Sequence, residues 1–174
     1  MSLVLDGAAG MTAPQGAVYN GIQSATAVAS TSGTSITFTG IPSWAKRITV
    51  MFNGVSTSGT SIPLLQIGSG SVTTSGYYGQ CGAIATSTAA ETSSTAGFPI
   101  YSVLAANTIS GSIILNLISS NTWVCLGNLT SNTSSVLMVS GNSSNLSGAL
   151  DRVVVTTTNG TDTFDAGSIN ILYE

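Results

Sequence analysis

Arg47-Ile48-Thr49-Val50-Met51-Phe52-Asn53 sets Ile48, Val50 and Phe52 on one face of an extended chain, and Thr34-Ser35-Ile36-Thr37-Phe38-Thr39 upstream alternates hydroxyl with apolar side chains. A period of two is the mark of a half-buried strand. Similar runs occupy residues 61–68, 81–86, 98–104, 111–119, 122–130, 136–140, 152–158 and 167–173, separated by Gly, Ser, Asn and Asp clusters that suit turns. The Val, Ile and Thr that fill them fit a pleated surface and resist a helix. No stretch of ten residues carries helical spacing.

About ten short antiparallel strands in one domain must hide their apolar faces against each other, which makes the chain all-β. Two packed sheets, an antiparallel β-sandwich of jelly-roll type, are the economical solution. A closed barrel is the alternative. It is disfavoured because residues 86–97, Ser, Thr and Ala-rich with nothing large to bury, read as a long surface loop. Residues 1–20 differ from the rest: Leu3-Val4-Leu5 offers one short strand, and small residues with Pro14 follow. We read residues 1–20 as an N-terminal docking arm, with a frayed terminus as the alternative, and residues 21–174 as the sandwich domain.

Charge excludes much chemistry. The 174 residues contain three basic and six acidic side chains and no histidine, against 28 serines and 24 threonines. A typical domain is roughly one-quarter charged, so here hydroxyls must supply the solvated surface. With 43% hydrophobic residues and a net charge of -3, the chain does not have the polar, highly charged composition of a disordered segment. No apolar run reaches the ~20 residues of a spanning helix. Residues 1–6 lack the basic start and long apolar core of a signal peptide, so the expected origin is a cytoplasm, without export.

Without histidine there is no Ser-His-Asp or Cys-His arrangement and no imidazole metal ligand, so the expectation is no enzyme and no cofactor. Asp162 and Asp165 form the one close carboxylate pair. They suit either capped turns or part of a calcium site, and the turn is favoured because few other anions are at hand. Three bases and a pI near 4.4 argue against nucleic acid, whose affinity scales with neutralising Lys and Arg. Sugar recognition is better supplied: Tyr77 and Tyr78, with Trp44 and Trp123, offer flat apolar faces beside Ser, Thr and Asn. Tyr77 and Tyr78 are the candidate receptor contacts, while core packing is the favoured reading of Trp123. Cys81 and Cys125 sit among apolar neighbours and read as buried thiols, with a bridge between them as the alternative.

Sandwich edges invite pairing with other chains and are usually guarded by charge. This chain has little charge to use, so covering the edges with identical copies in a closed ring is the expected answer; a trimer is favoured by analogy with fibrous viral proteins. Residues 32–56, with Gly40-Ile41-Pro42-Ser43-Trp44-Ala45-Lys46-Arg47 at their centre, resemble a module of tailed-bacteriophage and prophage tail or tail-fibre proteins. Residues 151–174, including Gly160-Thr161-Asp162-Thr163-Phe164-Asp165-Ala166-Gly167, look like the end of the same module, and Leu3-Val4-Leu5-Asp6-Gly7 is similar to the start of other phage tail-associated chains. Residues 68–148 carry little of the resemblance, and no catalytic or receptor-contact residue comes with it. It implies a structural protein on the virion surface, a tail-fibre or fibre-associated component in host attachment. The alternatives are a capsid decoration protein gripping the head through the arm containing Leu3, Val4 and Leu5, and, less favoured, a secreted carbohydrate-binding module. The implied partners are copies of the chain, other virion proteins and a bacterial surface glycan or protein.

Overall fold

The computed structural model describes residues 21–105, 107–133 and 135–174, together with the backbone of three short strands before them: β1 (Val4–Asp6), β2 (Gly10–Thr12) and β3 (Val18–Tyr19). The chain then continues through β4 (Gln23–Ser24), β5 (Val28–Ala29), β6 (Ile36–Thr39), β7 (Arg47–Thr57), β8 (Pro63–Ser69) and β9 (Ser71–Val72). Next come β10 (Tyr77–Ile84), β11 (Ala89–Ser94), β12 (Phe98–Pro99) and β13 (Ile109–Ser119). The last four are β14 (Thr122–Ser131), β15 (Ser135–Ser143), β16 (Arg152–Thr157) and β17 (Phe164–Tyr173).

Among the described residues these strands make three antiparallel sheets. β1, β2 and β3 pair among themselves, nine strands form a larger sheet in the order β11-β10-β15-β14-β13-β7-β17-β4 with β5 also on β17, and five form a smaller one in the order β12-β8-β16-β6 with β9 on β8. The two larger sheets pack as a β-sandwich. Their pairing is nested: β4 and β5 meet β17, β6 meets β16, β7 meets β13, and β8 meets β12. The outermost strands in sequence thus pair with each other, then the next pair inward, alternating between sheets. Two hairpins, β10–β11 and β14–β15, are added beyond β13 and widen the larger sheet on that side.

The period-two runs bury one face each. On β7, Ile48 and Val50 are fully buried and Phe52 nearly so; Trp123, Cys125 and Leu129 of β14 and Leu137 and Val139 of β15 point into the same core as Leu65, Ile67 and Phe98. β8 departs from the half-buried expectation, being buried on both faces, and its Gln66 satisfies its amide by donating to Ala96 O at 2.8 Å. Small inward residues on β10 let the smaller sheet approach: a Cβ on Gly79 would lie 2.5 Å from Gly97 O and 2.9 Å from Pro99 Cδ.

Residues 86–97 are not a loop. They hold β11, an edge strand that pairs with β10 from Gly79↔Ser94 to Ile84↔Ala89. Backbone bonds alone hold such an edge, so it needs no large side chain and gave no hydrophobic signal. Conversely, residues 98–104 contain only the short β12. Ile100 N still donates to Pro63 O at 2.9 Å, after which the chain leaves the sheet for a turn closed by Asn107 N on Leu104 O.

Candidate binding surfaces

The adjacent tyrosines part company. β10 alternates inward and outward, so Tyr77 is 3% exposed and Tyr78 68% exposed. Tyr77 packs edge-on against Phe98, with centroids 5.1 Å apart. Its hydroxyl accepts from Ile67 N at 2.9 Å and donates to Ile67 O or Thr73 O, both at 3.0 Å. Burial pushes the Tyr77 phenol up to about 12, opposed by the Ile67 hydrogen bond. This ring is a structural part of the core and offers no face to a ligand. Tyr78 instead stands over an open groove with Gln80, Ser93, Ser94 and Thr95, where ring and neutral polar groups lie together.

Trp123 is 2% exposed, a core side chain whose Nε1 has no hydrogen-bond partner among the described residues. Trp44 is partly exposed and tilts against Tyr173 with centroids 5.8 Å apart. Neither tryptophan adjoins Tyr78 in its groove. Of the candidate arm, Leu3 lies outside the described residues; Val4 and Leu5 lie in β1, opposite Thr12 and Met11 of β2.

Asp162 ties two turns together. Its carboxylate accepts from Asn159 Nδ2 at 2.7 Å and from Ser61 N at 2.9 Å, while Asn159 Oδ1 accepts from Thr161 N and Asp162 N. The Asn159 bond, then the Ser61 N–H, holds the Asp162 carboxyl below the usual carboxylate range. A Cβ on Gly59 would fall 2.1 Å from that carboxylate, so glycine is what admits it. Asp165 accepts from Ser56 Oγ. Asp162 thus holds turns, as expected, whereas Asp165 caps no turn and instead links β17 to β7, and no group of three or more potential metal ligands occurs among the described residues.

Cys81 and Cys125 are free and buried. They sit on β10 and β14, with β15 running between them, Cys81 opposite Val139 and Cys125 opposite Gly141. Two strand spacings and a two-residue offset along β15 separate their backbones by roughly 12 Å, beyond the reach of a disulfide. Desolvation, first of all, drives both thiols upward, and at Cys125 the neighbouring Cys81 adds to it.

The outward face of the larger sheet was not foreseen from the sequence. Ile84 is 51% exposed, Leu126 62%, Val136 47% and Met138 44%. They are neighbours: Ile84 lies opposite Val136, Met138 opposite Gly82, and Leu126 opposite the half-buried Ile114. Gln80, Ser112, Asn128, Thr130, Ser140 and Asn142 occupy the outward positions around them, and no outward side chain of β10, β13, β14 or β15 is charged. The signal available in the sequence was the unbroken apolar run Val136-Leu137-Met138-Val139, which loads both faces of β15.

No protein-family model, curated protein or solved structure matches this chain.

Proposed function

We propose that the chain is a structural protein of a bacteriophage virion surface, a tail-fibre or fibre-associated component of host attachment, acting by assembly and binding rather than catalysis. The observation that carries this reading is the partly apolar outer face around Ile84, Leu126, Val136 and Met138, beside which the exposed Glu91 of β11, opposite Gly82, brings a charge at the sheet edge. Contiguous apolar surface on a folded protein marks an interaction site, and burying a large apolar side chain contributes roughly 1.5–3 kcal/mol. An identical copy is the partner this sparsely charged face suits, because little beyond Glu91 at its β11 edge would lose its hydration. The sequence resemblance at residues 32–56 and 151–174 is the support for a virion location.

The nested pairing of β4/β5 with β17, β6 with β16, β7 with β13 and β8 with β12 supports a jelly-roll reading of the sandwich. In the favoured assembly three copies close a ring. Sedimentation at low micromolar concentration then gives a multiple of 17.4 kDa, and Leu126→Lys with Met138→Lys returns it to the chain mass. Antibody-gold label at the tail supports attachment, and label over the head refutes it.

A second reading, capsid decoration, draws on the pairing of β1, β2 and β3 among themselves, which suits a docking arm. Removal of residues 1–20 then abolishes binding to heads, whereas the tail reading expects no head binding by the intact chain.

A further inference from the structure

At one end of the sandwich, beside the turn joining β14 to β15, a recess of about 310 Å³ opens between that turn, β10 and the segment following β12. Ligand pockets run from ~300 to 1,000 Å³, so this one suits a small molecule or one unit of a polymer. Tyr101 and Leu104 form an apolar wall, and Asn107, Ser131, Thr133 and Ser135 form a polar one. No charged residue lines it.

Asn107 is the informative member. The residue is 8% exposed, yet its side-chain amide makes no hydrogen bond to any described residue. Buried amides are normally paired, and leaving one unpaired is costly; Gln66, at a similar burial, is paired with Ala96 O. The amide of Asn107 is not sealed in: its unpaired atoms keep some exposure, and the residue lines the recess. The backbone beneath is held from two sides. Asn107 N donates to Leu104 O at 3.0 Å, and next to it Thr108 N donates to Asn132 Oδ1 at 3.1 Å while Asn132 N donates to Thr108 O at 3.2 Å. A rigidly mounted carboxamide with an uncommitted donor and acceptor therefore faces the recess. In the same polar wall Ser131, Thr133 and Ser135 form a chain of hydroxyls, 3.0 Å and 3.4 Å apart, each with unused hydrogen-bonding capacity.

We propose that this recess binds a single neutral sugar residue, with the Asn107 amide pairing with adjacent sugar hydroxyls and the Tyr101 and Leu104 wall covering the apolar side of the ring. A hydroxyl both donates and accepts, so a pair of them matches one carboxamide and the hydroxyl row that lines the recess with it. A charged ligand would lose hydration with no counter-charge in return. An extended peptide docks along a strand edge through backbone groups, whereas the polar groups offered here are side chains lining a recess. The inference rests on the attachment reading, for which it names a ligand class, but its test uses the isolated chain.

Backbone amide spectra of the full chain are recorded with glucose, galactose, mannose, rhamnose and N-acetylglucosamine, each raised through the millimolar range. At least one sugar shifts the signals of Leu104, Asn107 and Thr133. Asn107→Leu weakens that binding at least roughly tenfold, while its melting temperature is not lowered, because the amide makes no hydrogen bond to a described residue that leucine would remove. Ser135→Ala weakens binding with the fold intact. Shifts by none of the sugars, unchanged affinity in either variant, or a lower melting temperature for Asn107→Leu would each overturn the proposal, the last by giving the amide a structural role. Gold label missing from phage particles would instead remove the virion reading and leave the sugar result standing.

Discussion

Tyr77→Phe removes one oxygen from the core and tests how the smaller sheet is completed. On β8, Leu65 pairs with Phe98 of β12 and Gly68 with Val72 of β9, which leaves Ile67 between the two ladders. The Tyr77 hydroxyl fills that gap by accepting from Ile67 N at 2.9 Å. In the phenylalanine variant Ile67 O keeps its bond from Thr73 N at 2.9 Å, but Ile67 N–H is left buried and unpaired. An orphaned buried donor costs about 1–3 kcal/mol, and the lost donated bond about 1 more. The expected destabilisation is therefore about 2–4 kcal/mol, or a melting point lower by roughly 4–16 °C for a chain of this size. Urea unfolding should show a lower midpoint with an unchanged slope, the mark of lost stability without a change in compactness. Tyr78→Thr, at a residue 68% exposed, serves as the control, and is expected to change stability by less than about 0.5 kcal/mol. A Tyr77→Phe protein as stable as the control would refute the assignment of this hydroxyl as a substitute ladder partner.

The same phenol gives a pH dependence. The folded value is raised from 10.0 to about 12, so its contribution is complete below pH 10 and lost as pH climbs through 12; urea midpoints at stepped alkaline pH should fall less in Tyr77→Phe than in the wild type. Asp162 works in the opposite sense: its carboxyl is held below 3.8, so its stabilisation is present above that pH and lost as pH falls further. Asp162→Ala is accordingly less stable than wild type at neutral pH, and the gap between their midpoints closes in strong acid. Gly141→Ala puts a Cβ 2.2 Å from Tyr78 O at a φ of 149° and should cost at least about 3 kcal/mol, whereas Gly21→Ala, with nothing within 4 Å, should leave the melting curve unmoved. Cys81 and Cys125 should ignore a thiol reagent in the native protein, react fully in urea, and form no cross-link with each other under mild oxidation.

Strands with one wet and one dry face were legible because alternation encodes that asymmetry directly. Ile48, Val50 and Phe52 were placed inward by spacing alone, and all three are buried. Strands that break the asymmetry were not. β11 borders solvent along its edge and alternates only between exposed and half-buried positions, so its hydroxyls and alanines resemble a loop. Ile100 is fully buried yet lies beyond β12, held by one bond to Pro63 O; apolar character there reports burial and not extension. Nested sheet order left no local trace at all, since β4 and β17, or β6 and β16, are joined by contacts across most of the chain.

The binding surfaces follow the same logic one step further. Two adjacent tyrosines on a strand must face opposite ways, and parity settles which is buried once a neighbour is known: Tyr77 stands in step with Cys81 and Ala83, both small and inward. The unbroken run 136–139 hides its own parity, but the register with β14, where Leu129 stands opposite Leu137, assigns Leu137 and Val139 inward and sends Val136 and Met138 to the surface. Asn107 had no such handle. It follows an irregular segment and meets Ser131, Thr133 and Ser135 only because β13, β14 and β15 lie side by side. In a chain almost without charge, titratable clusters cannot advertise a site. A polar side chain that is buried, rigidly mounted and left unpaired is then a strong physical sign of one, and it becomes visible only after folding has decided which groups are satisfied.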